Sequence, residues 1–213
     1  AMCYLHKEGI AHRDLKPQNI LMNKNLEPLV ADFGLSKKQF FLKDENKMTN
    51  ENFLLQSTPG EGTPSYMAPE QIRDFSGINF SLFDAKPADV FSFAMVTYVL
   101  FAGRLPWRNE LDARNQVANG NRADIPDNFP PAIRLLIEAC WRDSPKVRPT
   151  FEVILRMIGH PVFIDNLGVK IDMKRFKEYQ SKVLDDSMFS ETKEIDKDTI
   201  SFNGIKFPQI PKE

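Results

Sequence analysis

The longest apolar run of this sequence extends from Val90 to Gly103 and is broken by one serine and one threonine. It is too short to span a bilayer, which takes about 20 consecutive apolar residues. A helix that is apolar on every side has to be buried by the elements around it. The run therefore predicts a helix in the core of a globular domain, starting at Asp84 or at Lys86-Pro87 and ending near Gly103.

Further segments predict helices that could pack on this one. Their apolar residues recur at helical spacing, and glycine, proline or capping residues bound them. The predicted helices are a first one that ends at Gly9, residues 109–119, residues 131–141, residues 149–158 with Pro149 in the first turn, and residues 172–184.

The β-structure expected in the main part of the chain is a single hairpin. Two short apolar runs, Ile20–Met22 and Pro28–Ala31, flank Asn23-Lys24-Asn25 and predict two strands joined by a tight turn. Residues 35–66 are polar and rich in breakers, so they predict a long loop. The predicted fold class is mainly α with a small β-hairpin element.

Two polar motifs flank the predicted hairpin. The run HRDLKPQN, residues 12–19, precedes the first strand, and Asp-Phe-Gly, residues 32–34, follows the second. Each motif is weak by itself, but their order on the two sides of one hairpin is specific. Mg²⁺ prefers hard oxygen ligands, and the amide of Asn19 and the carboxylate of Asp32 form such a pair. The hairpin therefore predicts a divalent-metal site shared by its two ends.

Two charged residues just before Asn19 suit phosphoryl transfer. Asp14 would face an acceptor hydroxyl, and Lys16 would place positive charge beside a transferred phosphate. Phosphoryl transfer needs in-line orientation and neutralised phosphate charge, and little covalent chemistry from the protein.

The motifs together resemble the eukaryotic protein kinase family. HRDLKPQN resembles its catalytic loop, and ADFGLSKK (residues 31–38) resembles its magnesium-binding turn. Three further runs resemble, in order, the end of the activation segment, the start of the central helix and the closing motif: GTPSYMAPE (62–70), ADVFSF (88–93) and CWRDSPKVRPTF (140–151). The resemblance covers residues 1–158 and implies a protein-kinase-like C-terminal lobe (α+β) that uses ATP and Mg²⁺.

The resemblance implies roles for residues that match the family's motifs. Those for the reaction and its cofactors are Asp14 as the catalytic aspartate, Lys16 as the catalytic, phosphate-neutralising lysine, Asn19 and Asp32 as metal ligands, and Leu21 and Ala31 as the lower wall of the adenine pocket. Lys16 and Asp32 also count as cofactor-binding residues. The structural or regulatory residues are His12, Arg13, Phe33, Gly34, Thr58, Thr63, Glu70, Asp89 and Arg148.

The resemblance implies that four of these residues hold the parts of the site together. Thr63 would tie the substrate platform to the catalytic loop, Glu70 and Arg148 would form a buried ion pair, and Asp89 would anchor the catalytic loop from below. Arg13 resembles an arginine that binds a phosphorylated loop, so Thr58 or Ser57 is a candidate phosphorylation site.

The subgroup is indicated by the residues around the catalytic aspartate. Lys16-Pro17 after Asp14-Leu15 resembles serine/threonine kinases, and the closing motif resembles their tyrosine-kinase-like branch. The implied reaction is transfer of the ATP γ-phosphate to serine or threonine hydroxyls of a protein substrate.

The sequence also departs from the family. No glycine-rich loop, strand lysine or helix glutamate precedes residue 12, so we expect the N-terminal lobe to be absent and the isolated chain to be inactive. Residues 76–83 resemble an insertion beside the substrate platform. Two alternatives to a kinase fragment remain open: a pseudokinase-like scaffold or binding module, and a truncated product without a function of its own.

The segment after the resemblance has a different character. Residues 159–213 predict a tail with a short helix, a charged linker over 185–198 and a hairpin around Asn203-Gly204. A formal net charge of −1 gives no general attraction to nucleic acid or to anionic membranes. Two distant cysteines, with no signal peptide, predict reduced thiols and a cytoplasmic location.

Overall fold

A computed structural model describes residues 1–38, 62–73, 85–168, 170–183, 201–202 and 205–206. The helices are α1 (Met2–Lys7), α2 (Pro69–Arg73), α3 (Lys86–Ala102), α4 (Glu110–Ala118), α5 (Pro131–Cys140), α6 (Phe151–Gly159), α7 (Pro161–Asp165) and α8 (Met173–Val183). The strands are β1 (Ile10–Ala11), β2 (Ile20–Met22), β3 (Pro28–Val30), β4 (Lys37–Lys38), β5 (Ser201–Phe202) and β6 (Ile205–Lys206). The described architecture is therefore mainly helical with small two-stranded sheets, as the sequence predicted.

Helix α3 is the buried helix expected from the apolar run. Phe91, Ala94 and Met95 are completely shielded from solvent, and α3 packs mainly on α5. Gly103 ends the helix with a positive φ of 70°, a conformation that glycine adopts without steric cost, and its N–H donates to the Val99 carbonyl. Among the described residues, no helix is both long and apolar enough to cross a membrane.

The predicted hairpin is confirmed. Strands β2 and β3 pair antiparallel, with Ile20 opposite Val30 and Met22 opposite Pro28. Their connection spans residues 23–27 and is organised by Asn23, whose side-chain oxygen accepts from the N–H groups of Asn25 and Glu27. Asparagine favours such turns because its side chain can replace a backbone acceptor.

The expectation of an uninterrupted loop over residues 35–66 is wrong at two places. Lys37–Lys38 forms β4, which pairs antiparallel with β1, and Pro64–Tyr66 forms a 3₁₀ turn. A two-residue strand has no readable polar–apolar period, and its partner lies far away in sequence, so local patterning could not reveal it.

The remaining helices begin and end close to the predicted positions. Asn109 caps α4 by accepting from the Asp112 N–H, and the helix from Pro131 is present as α5. Helix α6 begins at Phe151 rather than at Pro149, because the Thr150 hydroxyl accepts from the Val153 N–H and caps the helix there.

Two five-residue helices, α2 and α7, were not predicted from the sequence. Each begins with a proline, Pro69 or Pro161, which is tolerated in a first helical turn. Helix α7 packs on α6 and buries Phe163, which is 2% exposed, in the hydrophobic core. The core thus includes residues beyond 158; the division of the chain at that point stays a prediction.

The tail contains the expected helix and hairpin. Helix α8 covers Met173–Val183, and β5 pairs antiparallel with β6. The candidate phosphorylation sites Ser57 and Thr58, the insertion over 76–83 and the linker over 185–198 lie outside the described residues.

Candidate active site

The loop that carries Asp14 is anchored on α3 by a buried carboxylate. Asp89, in the first turn of α3, is completely buried and accepts from two successive backbone N–H groups, those of His12 (2.8 Å) and Arg13 (2.7 Å). Arg13 has a positive φ of 71°, which costs roughly 1–2 kcal/mol for a residue other than glycine. The bond to Asp89 offsets this cost and fixes the backbone just before Asp14.

His6 is a member of this anchor that sequence reasoning missed. Its Nε2 lies 2.8 Å from Asp89 Oδ2, and its ring packs edge-on against Phe151 at 5.0 Å. Because a carboxylate oxygen can only accept, Nε2 is the nitrogen that carries the proton. The one local signal was a histidine in the last turn of a helix just before the HRD motif.

The Asp14 carboxylate is held by three side chains and one backbone group. Its Oδ1 accepts from the Thr63 N–H (3.0 Å) and hydroxyl (2.9 Å), while Oδ2 accepts from Lys16 Nζ (2.7 Å) and from Asn19 Nδ2 (3.3 Å). Lys16 Nζ also donates to the Thr63 hydroxyl at 2.7 Å. Asp14 is 8% exposed, so the network leaves a carboxylate of fixed orientation at the surface of the core.

Asn19 is oriented by the same network. Its Nδ2 donates to both the backbone carbonyl and the carboxylate of Asp14. Within the described residues its Oδ1 has no hydrogen-bond partner, which leaves an amide oxygen available as a ligand. The Ala31 N–H donates to the Asn19 carbonyl at 2.8 Å, so Asp32 follows directly on a residue bonded to Asn19.

Asp32 is exposed, and its carboxylate accepts one long hydrogen bond, from the Gly34 N–H at 3.3 Å. Its backbone has a positive φ of 60°, an uncommon conformation for a non-glycine residue that clusters at functional sites. A Cβ atom at Gly34 would lie 3.2 Å from Asp32 Oδ1, so a larger residue there would crowd this carboxylate.

His12 joins the Asp14 loop to the end of β3. Its Nε2 lies 2.9 Å from the Ala31 carbonyl, and its Nδ1 accepts from the Asp14 N–H at 3.3 Å. These contacts assign the neutral tautomer with the proton on Nε2. Phe33 packs on the His12 ring at 5.3 Å.

Arg13 is buried, and its Nη1 lies 3.4 Å from the Leu35 carbonyl. The candidate phosphorylation sites that Arg13 was expected to bind, Thr58 or Ser57, are not among the described residues. Leu21, expected in the adenine pocket, lies on β2 and is 54% exposed, while Ala31 is half-buried.

Glu70 and Arg148 form a bidentate ion pair. The Nη1–Oε1 distance is 2.6 Å and the Nη2–Oε2 distance is 2.7 Å. The Arg148 side chain is 0% exposed and donates its other hydrogen bonds to the carbonyls of Pro87, Arg142 and Asp143. The pair links α2 to the loop before α6.

A second ion pair, also missed in the sequence, lies at the other end of α2. Arg73 donates to both Asp143 oxygens, at 2.9 and 2.8 Å, and these bonds lower the pKa of the Asp143 carboxyl. Arg122 lies 3.4 Å from the same carboxylate, and burial lowers the pKa of its guanidinium. The guanidinium groups of Arg122 and Arg148 both lie over the Phe91 ring.

The site thus combines an anchored loop, a fixed carboxylate beside a lysine, and the side-chain oxygens of Asn19 and Asp32 next to one hairpin. The chain belongs to the protein kinase domain family, whose sequence pattern it matches over residues 1–163. Two of the three relatives described below are named serine/threonine-protein kinases and the third a dual specificity protein kinase, and the predicted family is confirmed.

Three relatives show the extent of the similarity. The chain is 35% identical over 193 residues to Receptor-interacting serine/threonine-protein kinase 1 of Homo sapiens, covering 84% of this chain and 27% of that protein. It is 35% identical over 181 residues to Dual specificity protein kinase shkB of Dictyostelium discoideum, covering 82% and 25%. It is 34% identical over 162 residues to Serine/threonine-protein kinase CTR1 of Arabidopsis thaliana, covering 74% and 18%. The chain therefore spans between 18% and 27% of the length of these relatives.

Proposed function

We propose that this chain is the C-terminal lobe of a serine/threonine protein kinase of the tyrosine-kinase-like branch. In its full-length form the kinase transfers the γ-phosphate of ATP to serine or threonine hydroxyls of a protein substrate. The observation that carries the proposal is the Asp14 carboxylate, held by Lys16, Asn19 and Thr63 at 2.7–3.3 Å.

Asp14 orients the acceptor hydroxyl and accepts its proton. The two bonds from Thr63 hold Oδ1, and the contacts to Lys16 and Asn19 hold Oδ2. The acceptor hydroxyl donates to this fixed carboxylate. Lys16, 2.7 Å from Oδ2, stabilises the negative charge that develops on the transferred group.

Asn19 and Asp32 would hold Mg²⁺, which when bound neutralises phosphate charge. The Asn19 amide oxygen is unused within the described residues, and the Asp32 carboxylate is exposed. Among the residues that the structure describes, no group of three or more His, Cys, Asp or Glu side chains could hold a metal. This fits Mg²⁺, which binds one or two protein oxygens and completes its shell with phosphate oxygens and water.

The β2–β3 hairpin supports a second lobe above this one. Leu21, Met22 and Leu29 are each exposed by about half, at 54%, 57% and 51%, and Tyr4 on α1 is 58% exposed. A lobe that covers the hairpin would bury these apolar side chains and place the adenine of ATP against Leu21 and Ala31. Such a lobe would shield the nucleotide from water, so we expect its removal to abolish phosphotransfer.

The test is transfer of labelled γ-phosphate to a serine/threonine peptide library, with Mg²⁺, by the product of the whole open reading frame. We expect transfer by the wild type and a loss of about 100-fold or more in Asp14→Asn, since a positioned base contributes about 10²–10⁴-fold. Asp127→Asn changes an exposed carboxylate in the same way and serves as the matched control.

Two results would overturn the proposal. Transfer that persists in Asp14→Asn would show that this carboxylate is not the base. A folded, Mg²⁺-ATP-saturated wild type that transfers no phosphate would favour the alternative of a pseudokinase-like scaffold.

A further inference from the structure

The short helix α2 is fixed at both ends to the same loop. At its start Glu70 pairs with Arg148, and at its end Arg73 pairs with Asp143. The two pairs are linked, since Arg148 Nη2 also donates to the Asp143 backbone carbonyl at 3.0 Å. A helix of five residues has little stability of its own, so its orientation depends on these contacts.

Arg73 also makes a contact outside its ion pair with Asp143. Its Nε donates to the Ala118 carbonyl at 2.8 Å, at the end of α4. All three nitrogens of this guanidinium are thus engaged by α4 and residue 143. Lysine could not reproduce this arrangement, because it carries a point charge in place of a planar fork of donors.

The chain after α4 folds closely over the Arg73–Asp143 pair. Gly120 has a positive φ of 82°, and a Cβ atom there would lie 3.9 Å from both Arg73 Nη2 and Asp143 Oδ1. Arg122 then approaches the same carboxylate at 3.4 Å. The pair is therefore a junction of α2, the end of α4 and the loop before α6.

This junction is connected to Asp14 through the segment that precedes α2. The segment just before α2, residues 62–68, has Thr63 near its start, and the N–H and hydroxyl of Thr63 hold the Asp14 carboxylate. The Tyr66 carbonyl in this segment accepts from the Ser92 hydroxyl on α3 at 2.8 Å. The segment is thus held at its start by Asp14, in its middle by α3 and at its end by α2.

We propose that Arg73 is a positioning residue for the protein substrate, acting through its pair with Asp143 on the segment 62–68. This inference rests on the proposed kinase function. The contacts of Arg73 given above go to the end of α4 and to residue 143, and none of these goes to the Asp14 loop or the β2–β3 hairpin. Loss of Arg73 therefore loosens the segment whose Thr63 holds the Asp14 carboxylate, weakens binding of the acceptor peptide there, and leaves ATP binding unchanged.

The kinetic test uses the whole open-reading-frame product with Arg73→Gln, Arg73→Lys and Asp143→Asn. We expect the KM for a peptide substrate to rise about three- to fivefold in each variant, the range for one well-formed surface pair. The KM for ATP should stay at the wild-type value. Arg156→Gln breaks the comparable exposed Arg156–Glu152 pair on α6 and serves as the control.

A second test needs no activity and uses the chain of residues 1–213. In Arg73→Gln, hydrogen exchange of the Thr63, Tyr66 and Met67 amides should be about three- to fivefold faster than in wild type, in proportion to the same lost interaction. The buried amides of α5 should exchange at the wild-type rate. Arg156→Gln should leave both regions unchanged.

The outcomes separate the two proposals. An unchanged peptide KM in an active Arg73→Gln enzyme overturns the positioning role and leaves the kinase function standing. A wild type without transfer, together with faster exchange at residues 63–67 in Arg73→Gln, overturns the kinase function and supports the link from Arg73 to the segment. Uniformly faster exchange across the chain would mean that Arg73 acts on global stability alone, which also overturns the positioning role.

Discussion

Replacing Arg148 by methionine should destabilise the protein more than replacing Glu70 by glutamine, although both changes break the same ion pair. Arg148 is completely buried, and its guanidinium serves Glu70 and three backbone carbonyls, those of Pro87, Arg142 and Asp143. Methionine fills a similar volume but removes the donors to Glu70 and to all three carbonyls. Glutamine at 70 leaves the three carbonyl bonds in place.

The magnitudes follow from this difference. Breaking a buried ion pair from one side costs about 3–5 kcal/mol. Glu70→Gln should lie at or below the lower limit, about 2–3 kcal/mol, because the new amide oxygen can still accept one bond and Arg148 keeps three. Arg148→Met should cost about 5 kcal/mol, since each buried carbonyl that loses its donor adds about 1 kcal/mol or more.

Urea unfolding of residues 1–213, followed by the fluorescence of its two tryptophans, measures both costs. In a thermal scan the two variants should melt about 4–12 °C and about 10–20 °C below the wild type, respectively, at about 2–4 °C per kcal/mol for a chain of this size. The exposed Arg156–Glu152 pair is the control, and Arg156→Gln should cost less than about 1 kcal/mol. Equal costs for Arg148→Met and Glu70→Gln, or the reverse order, would refute the account of Arg148 as a hub for backbone carbonyls.

Three further predictions concern single residues. Thr63→Val removes the hydroxyl that donates to Asp14 and should lower kcat of the full-length kinase about 5- to 30-fold, whereas Thr63→Ser should keep most of it; equal rates for the two variants would count against the contact. Burial lowers the pKa of His160, so the unfolded chain binds more protons than the folded one below about pH 6.5 and the urea midpoint should fall as the pH drops from 7 to 5; this dependence should weaken in His160→Asn. Burial raises the pKa of both thiols, far more strongly at the fully buried Cys140 than at Cys3, so iodoacetamide at pH 8 should alkylate Cys3 first, and mass spectrometry showing Cys140 modified first would refute this.

The elements that the sequence predicted well are those with a local cause. Helix α3 is readable because an apolar run has to be buried, and its end because Gly103 adopts a left-handed conformation. The start of α4 follows from Asn109, whose side chain caps the helix from within the same turn. The β2–β3 hairpin has both of its strands and its turn within 11 residues.

The features that were missed depend on distant partners. Strand β4 exists because Lys37–Lys38 meets Ile10–Ala11, and no local pattern marks a strand of two residues. Arg73 and Asp143 are 70 residues apart and His6 and Asp89 are 83 apart, so each looks like an ordinary surface charge or helix residue until the chain is folded.

The candidate site is predictable in part from chemistry and in part from resemblance. An amide at Asn19 and a carboxylate at Asp32 predict a metal site by their residue types together with their order on the two sides of a hairpin. The hydrogen bonds from Thr63 to Asp14 join residues that are 49 positions apart, and in the sequence only the resemblance indicates this contact. Arg13 and Asp32 have left-handed backbone conformations, which their residue types do not predict.

The buried carboxylate of Asp89 holds its neighbours by their main chain, and this has a consequence for how the protein can vary. Since the bonds are made to N–H groups, this part of the anchor does not depend on which side chains stand at positions 12 and 13, apart from proline, which has no N–H to offer. It depends strongly on position 89, because one substitution there leaves two successive peptide N–H groups without their acceptor in a buried region. The backbone just before Asp14 is therefore held by a residue more than 70 positions away.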